Sequence, residues 1–427
     1  MKKYFSCFVL TFLFINTWSQ QSDLRINDLF VLQDFFKLKQ EYSQSSKTSS
    51  EEMRLFSAAY IDSYFNKPAQ ANEAIQLLLE KHSDWLGAEN CLSLAILMAD
   101  NYTKEQNYKL AASIYEQLIP QLELYFEDMI LLGYKQAFEL YKSLENVEPI
   151  VVSYDKKKAV IPLKNDNAGL LTLPVKSTKS ETLDFVLDFG AGHSMIEEQY
   201  AKDFDIEILA DSILVVNATG VNVYSKIGIV KEIQIGEMTI KNVVFFVAPK
   251  ILPEAISDSL NYEIKGIIGL PVLRSLEHFL IKKSEKIIVS KSKEKPKLSS
   301  NMMLQNYNLY VQAKTNNYSL LMIFDSGSLE STLTHRYLDK EKENMDNLWL
   351  DTLSLGSYGG IREFSVYKMK EFQCKIGHKT VSIPDISIFR EEVIDFGLPV
   401  DGIIGRDMLN QNKKTVIDFG NMYMDFR

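Results

Sequence analysis

Nothing limits the folds open to this chain more than an internal duplication. Phe185-Val-Leu-Asp-Phe-Gly-Ala-Gly192 is answered by Leu321-Met-Ile-Phe-Asp-Ser-Gly-Ser328, and Lys265-Gly-Ile-Ile-Gly-Leu-Pro-Val-Leu273 by Asp401-Gly-Ile-Ile-Gly-Arg-Asp-Met-Leu409. Asp188 precedes Gly266 by 266 − 188 = 78 residues, and Asp325 precedes Gly402 by 402 − 325 = 77. Ile235-Gly236 and Ile376-Gly377 mark a turn between these landmarks. Apolar strands follow at Ile281 and Ile417, each 12 residues beyond the last Gly (281 − 269 and 417 − 405). Landmarks repeated in the same order at matching spacing indicate two copies of one structural unit.

In each copy a short apolar run bounded by glycine reads as a strand covered on both faces, and it ends on an acid. A carboxylate buried there without a partner is costly. The cheapest partner for each acid is the other one. Two carboxylates sharing a site do not both ionise readily, so one keeps a proton and the pair can serve as base and acid together. That chemistry calls for no cofactor. With five His in the chain and no Cys/His cluster at ligand spacing, no metal site is expected either.

An Asp-[Thr/Ser]-Gly-[Ala/Ser] run followed some 80 residues later by apolar-apolar-Gly resembles the aspartic peptidases, here as two fused retropepsin-like lobes over roughly residues 150–427. The resemblance implies a mainly β, bilobal architecture of barrel-like units related by a pseudo-two-fold axis. It implies catalytic roles for Asp188 and Asp325, set in loops formed by Phe189, Gly190, Ala191 and Ser194 and by Ser326, Gly327 and Ser328. It further implies that Gly266, Ile267, Ile268 and Gly269, and likewise Gly402, Ile403, Ile404 and Gly405, cross behind those loops and brace them. One position departs from the pattern. Phe189 stands where the family has a hydroxyl that bonds to the opposite loop, whereas Ser326 retains it. Flap candidates are Thr219-Gly220 in the first copy and Tyr358-Gly359 in the second; an ordinary hairpin turn at Gly359-Gly360 is the alternative reading of the second.

The expected organisation is a signal peptide over residues 1–19, an all-α domain over 24–147, a first lobe over 150–290 and a second over 302–427. Lys2-Lys3, an apolar stretch from Tyr4 to Ile15 and small residues at Thr17 and Ser19 make an export signal too short to span a bilayer. The expected location is therefore secreted or periplasmic, with no membrane span in the mature chain. Between residues 24 and 146 apolar residues recur at three and four, as in Met53, Phe56, Ala59, Tyr60 and Tyr64, and glycine is scarce. Leu55–Lys81 resembles a segment 37 residues later, with Phe65 answering Tyr102 and Ala74 answering Ala111. This reads either as tetratricopeptide-like helix hairpins, which could dock a protein partner, or as a plain bundle. After Pro149 the chain changes to short β-rich runs, and residues 291–301, rich in Lys and Ser, read as a linker.

A net charge of −9 argues against a nucleic-acid partner. Asp-Phe-Gly recurs at 188, 395 and 418, but no other kinase signature accompanies it. His193 and Ser194 are neighbours on a strand and face opposite ways, which disfavours a Ser-His-Asp arrangement. Two readings stand at this point. One is an exported aspartic endopeptidase acting on polypeptide substrate; the other is an inactive relative that keeps its cleft for peptide binding or scaffolding.

Overall fold

The computed structural model describes residues 19–124, 128–216, 222–252, 257–258, 261–291, 299–341, 348–357, 360–392 and 396–427. The chain divides into two units, Met1–Glu148 and Pro149–Arg427.

The first unit is helical: Ser19–Val31, Phe35–Ser45, Glu51–Tyr64, Pro68–Lys81, Ser83–Lys104, Tyr108–Leu122 and Asp128–Ser143. Three of its turns are the same device. Gln33, Asn66 and Gln106 take left-handed φ of 52°, 61° and 59°. After each, the next N–H reaches five residues back: Asp34 to Leu29 at 3.0 Å, Lys67 to Asp62 at 2.7 Å, and Asn107 to Tyr102 at 2.8 Å. These are Schellman closures, which satisfy helix-end carbonyls while turning the chain into the next helix. Turn to turn, the second and third hairpins lie 106 − 66 = 40 residues apart. The expected period of 37 is therefore corrected: Ala71, not Ala74, answers Ala111, and both are fully buried. The helix Ser83–Lys104 is itself broken at Gly87, whose φ is 70° and ψ 169°. Between these helices Ser63 Oγ meets Asn101 Oδ1 at 2.6 Å, and Asn101 Nδ2 donates to Asn72 Oδ1 at 2.8 Å.

The second unit is two β lobes built on one plan. In the first, the strands Met238–Ala248, Ser194–Glu197, Gly266–Ile268, Leu183–Leu187, Leu171–Ser177 and Asn222–Ile235 pair in that order, and the last pairs back with the first. In the second, Lys379–Phe389, Thr332–Leu333, Gly402–Ile404, Ser319–Phe324, Asn308–Lys314 and Gly360–Ile376 close the same ring in the same order. Closure leaves no edge in either ring.

A five-stranded sheet joins the lobes: Lys158–Pro162, Lys286–Ser290, His278–Lys282, Lys414–Asp418 and Tyr423–Phe426. At its centre Leu280 lies opposite Val416. Each is 11 residues past its bracing glycine (280 − 269 and 416 − 405), so the pseudo-two-fold axis passes between them. The architecture is mainly β and bilobal with pseudo-two-fold symmetry, and an all-α unit precedes it in the chain.

The second lobe opens on a hairpin of Met302–Gln305 and Asn308–Lys314. Asn306 and Tyr307, at φ 46° and 61°, form a two-residue turn with both central φ positive. Asn-Tyr lacks the glycine that flags such a turn in a sequence.

Candidate active site

Each acid sits where one strand ends and another crosses it. The strand Leu183–Leu187 runs parallel to Gly266–Ile268, with Ile268 opposite Leu187, and Asp188 N–H donates to Ile268 O at 3.1 Å. The second lobe repeats this atom for atom: Phe324 lies opposite Ile404, and Asp325 N–H donates to Ile404 O at 3.0 Å. One residue beyond each bracing Gly, Leu270 N–H bonds Ala191 O and Arg406 N–H bonds Ser328 O, both at 2.9 Å. Residues 266–269 and 402–405 thus lie behind the two acid loops and hold them through backbone bonds. Only glycine fits where the crossing is closest. A Cβ on Gly269 would stand 2.5 Å from His193 O, and one on Gly405 2.6 Å from the Glu330 carbonyl carbon.

The structure brings Asp188 and Asp325 together, although 325 − 188 = 137 residues separate them. Gly327 N–H is shared between the carboxyls, 2.8 Å from Asp325 Oδ1 and 3.2 Å from Asp188 Oδ1. Gly190 N–H bonds Asp188 Oδ1 at 2.8 Å, and Ser328 N–H bonds Asp325 Oδ1 at 3.0 Å. The closeness is reciprocal. A Cβ on Gly190 would lie 2.5 Å from Asp325 Cγ, and one on Gly327 2.6 Å from Asp188 Oδ2.

Burial, then the charge of Asp325, push the Asp188 carboxyl up to about 8, against the N–H bonds from Gly190 and Gly327. Burial also raises Asp325, while hydrogen bonds from Asp188, Ser328 and Gly327 hold it down. Burial thus raises both carboxyls while they face each other, so the two share a proton and titrate as a unit.

Hydroxyls tie the loops together. Ser326 Oγ accepts from Phe189 N–H at 3.1 Å and donates to Leu187 O at 2.7 Å, crossing from the second lobe to the first. Ser194 Oγ accepts from Gly269 N–H at 3.1 Å. Its counterpart, which the sequence reading missed, is Ser331: Gly405 N–H donates to its Oγ at 2.9 Å. The signal was present, because 194 − 188 and 331 − 325 are both 6. Asp407 adds a support absent from the first lobe, accepting from Ser331 N–H at 2.9 Å as well as from its hydroxyl. Removing either hydroxyl, by Ser194→Ala or Ser331→Ala, leaves a buried glycine N–H without its acceptor. Each is expected to cost about 1–3 kcal/mol in denaturant unfolding.

His193 takes no part in the carboxyl pair's hydrogen bonds. Its ring stacks on Phe246 at 4.3 Å and meets Tyr307 of the second lobe at 4.6 Å, and burial lowers its pKa to about 4. Ser194, one residue on, points its hydroxyl at Gly269 instead. Each lobe carries a long hairpin in the stretch expected to cover the cleft: Glu207–Val216 with Asn222–Ile235, and Trp349–Ser357 with Gly360–Ile376. The flap candidates Thr219, Gly220, Tyr358 and Gly359 lie outside the described residues. Among the described residues no group of three or more His, Cys, Asp or Glu is placed to hold a metal ion, and no helix is long and apolar enough to cross a membrane.

Residues 173–272 match the family described as Aspartyl protease. No curated protein matches the chain. Among solved structures, one similar chain is a retropepsin-like aspartic protease from Rickettsia conorii, at 15% identity and a TM-score of 0.22. That match covers 33% of this chain and 91% of the other. Another is the retroviral protease-like domain of Ddi1 from Leishmania major, at 14% identity and a TM-score of 0.17, covering 28% of this chain and 92% of the other. From before the first acid loop to beyond its bracing segment the chain is similar to the Aspartyl protease family, and the second lobe repeats the plan of the first.

Proposed function

We propose that the protein is an aspartic endopeptidase that hydrolyses peptide bonds in extended polypeptide segments, with Asp188 and Asp325 as its catalytic pair. The observation that carries this reading is the reciprocal approach of the two loops, in which Gly327 N–H bridges both carboxyls. The ionised partner, Asp325, takes a proton from a water drawn between the two acids. The hydroxide so formed attacks the scissile carbonyl carbon while protonated Asp188 gives its proton to the carbonyl oxygen. The tetrahedral diol then collapses. Asp325 passes its new proton to the amine nitrogen, the C–N bond breaks, and one diol proton returns to Asp188, so the pair ends as it began. The loop N–H groups hold both carboxyls in place throughout, and no covalent intermediate forms.

The test is digestion of an unfolded protein by the full chain at about pH 6, read by mass spectrometry of the fragments. New peptide termini produced by the wild type support the reading; an intact substrate after prolonged incubation overturns it.

The same proposal places the protein outside the cytoplasm. The cationic start and apolar stretch before Gln20 support this, and amino-terminal sequencing of the exported protein is expected to begin at Gln20. The helical unit is assigned a partner-docking role on the strength of its successive helix hairpins. Loss of co-purifying protein on deleting residues 24–147 tests that role, and an unchanged set removes it.

A further inference from the structure

Phe189, the position that departs from the family pattern, is packed on every side rather than left as a gap. It is fully buried, and its ring lies 4.9 Å from Phe324, tilted by 45°, and 6.1 Å from Phe279, stacked at 22°. Phe324 belongs to the second lobe and is the residue that delivers Asp325. Phe279 lies on the strand that joins the lobes, and its ring in turn meets Phe419 at 6.4 Å.

The pseudo-two-fold axis shows what this packing replaces. Phe189 corresponds to Ser326, each one past its acid, and Phe324 corresponds to Leu187, each one before. Phe279 corresponds to Thr415, since 279 − 269 and 415 − 405 are both 10. One side of the axis therefore holds three phenylalanines where the other holds Ser, Leu and Thr. A lone loss of a hydroxyl would have left the two neighbours of position 189 as small as their counterparts. Instead all three are enlarged together, and all three rings are fully buried against one another.

We infer that Phe189 is a positioning residue that fastens the Asp188 loop to the second lobe through its ring contact with Phe324, replacing the cross-lobe hydroxyl that Ser326 supplies on the other side. This rests on the peptidase reading only for its effect on turnover; the joint itself is a matter of packing. Aromatic pairs at these separations attract beyond the area they bury. A close-packed joint also transmits small displacements, and about 1 Å of misplacement at a reacting group costs on the order of 100-fold in rate.

The experiment measures kcat, KM and melting temperature for the full-length wild type, Phe189→Ala, Phe189→Thr, Phe189→Leu, Phe324→Leu and the Phe189→Leu/Phe324→Leu double variant. Phe189→Ala and Phe189→Thr are each expected to lower kcat about 100-fold with KM within about threefold of wild type. Phe189→Leu refills most of the volume and is expected to recover kcat to within about tenfold. The Phe324→Leu effect is expected to shrink in the Phe189→Leu background, because the two rings share one contact.

A Phe189→Thr enzyme as fast as the wild type, or faster, overturns the inference, because the hydroxyl would then repair a defect. Strictly additive melting shifts for the two leucine substitutions overturn it as well. If the wild type cuts nothing, the peptidase reading falls while the joint is still judged by the melting cycle. If Phe189→Ala does not fold, the two leucine variants decide.

Discussion

Asp188→Asn and Asp325→Asn are each expected to remove essentially all peptide-bond hydrolysis, a loss of about 10⁴-fold or more in kcat with the fold intact. Groups that act as a unit are lost as a unit, so the double variant is expected to be no worse than either single one. The geometry gives the reason. Either Asn keeps a carbonyl oxygen to accept the loop N–H bonds from Gly190, Gly327 and Ser328, so the loops stay in place. Neither can cycle a proton. An amide at 325 cannot take one from water, and an amide at 188 cannot give one to the substrate carbonyl. Rates on a flexible peptide, with circular dichroism as the check on folding, decide the matter. A single variant that retains a tenth of wild-type kcat contradicts the paired mechanism.

The same substitution at 188 is expected to stabilise the protein at alkaline pH. Burial and the facing Asp325 charge raise the folded-state pKa of Asp188 to about 8, against about 3.9 for an unfolded Asp. A group raised in this way contributes stability that is fully present below about pH 4 and is lost as pH climbs through about 8. Wild type is thus expected to lose melting temperature relative to Asp188→Asn as pH rises from about 5 to about 8.5, by at least ~3 °C. Asp418 and Asp425 act in the opposite sense. Hydrogen bonds from His278 and Asn421, and from Arg427 and His378, hold their carboxyls low against the cost of burial, so their contribution is lost as pH falls. They are common to both proteins and cancel in the difference. A wild type that melts as high as the Asn variant at pH 8.5 contradicts a strained carboxyl pair. Stability given up at a reacting site is the usual counterpart of its chemistry.

The bilobal fold was legible because duplication doubles every local signal. A single Asp-x-Gly run says little, but two runs followed at matched distances by Gly-Ile-Ile-Gly specify the same strand crossing twice. Ser331 could have been read by the same comparison, since it stands where Ser194 stands. Other features left no local mark. The turn at Asn306-Tyr307 has no glycine, and its left-handed backbone is sustained by the strands on either side. The helix-hairpin spacing slipped by 40 − 37 = 3 residues, about one helical turn, because residue likeness does not register a shift in phase.

The packing of Phe189 lay furthest from view. Read along the chain, it is a missing hydroxyl; its meaning depends on Phe324 and Phe279, 135 and 90 residues away (324 − 189 and 279 − 189). Large buried residues are specified by what surrounds them in space, and these neighbours lie far away along the chain.

The account turns on two acids sharing one proton, and the pH dependence of kcat/KM for wild-type cleavage of a peptide with no titratable groups near its scissile bond reports that most directly. The account predicts a bell whose alkaline limb falls near pH 8, where Asp188 loses the shared proton, and whose acid limb marks protonation of Asp325. A rate that stays level from pH 7 through pH 10 would contradict it.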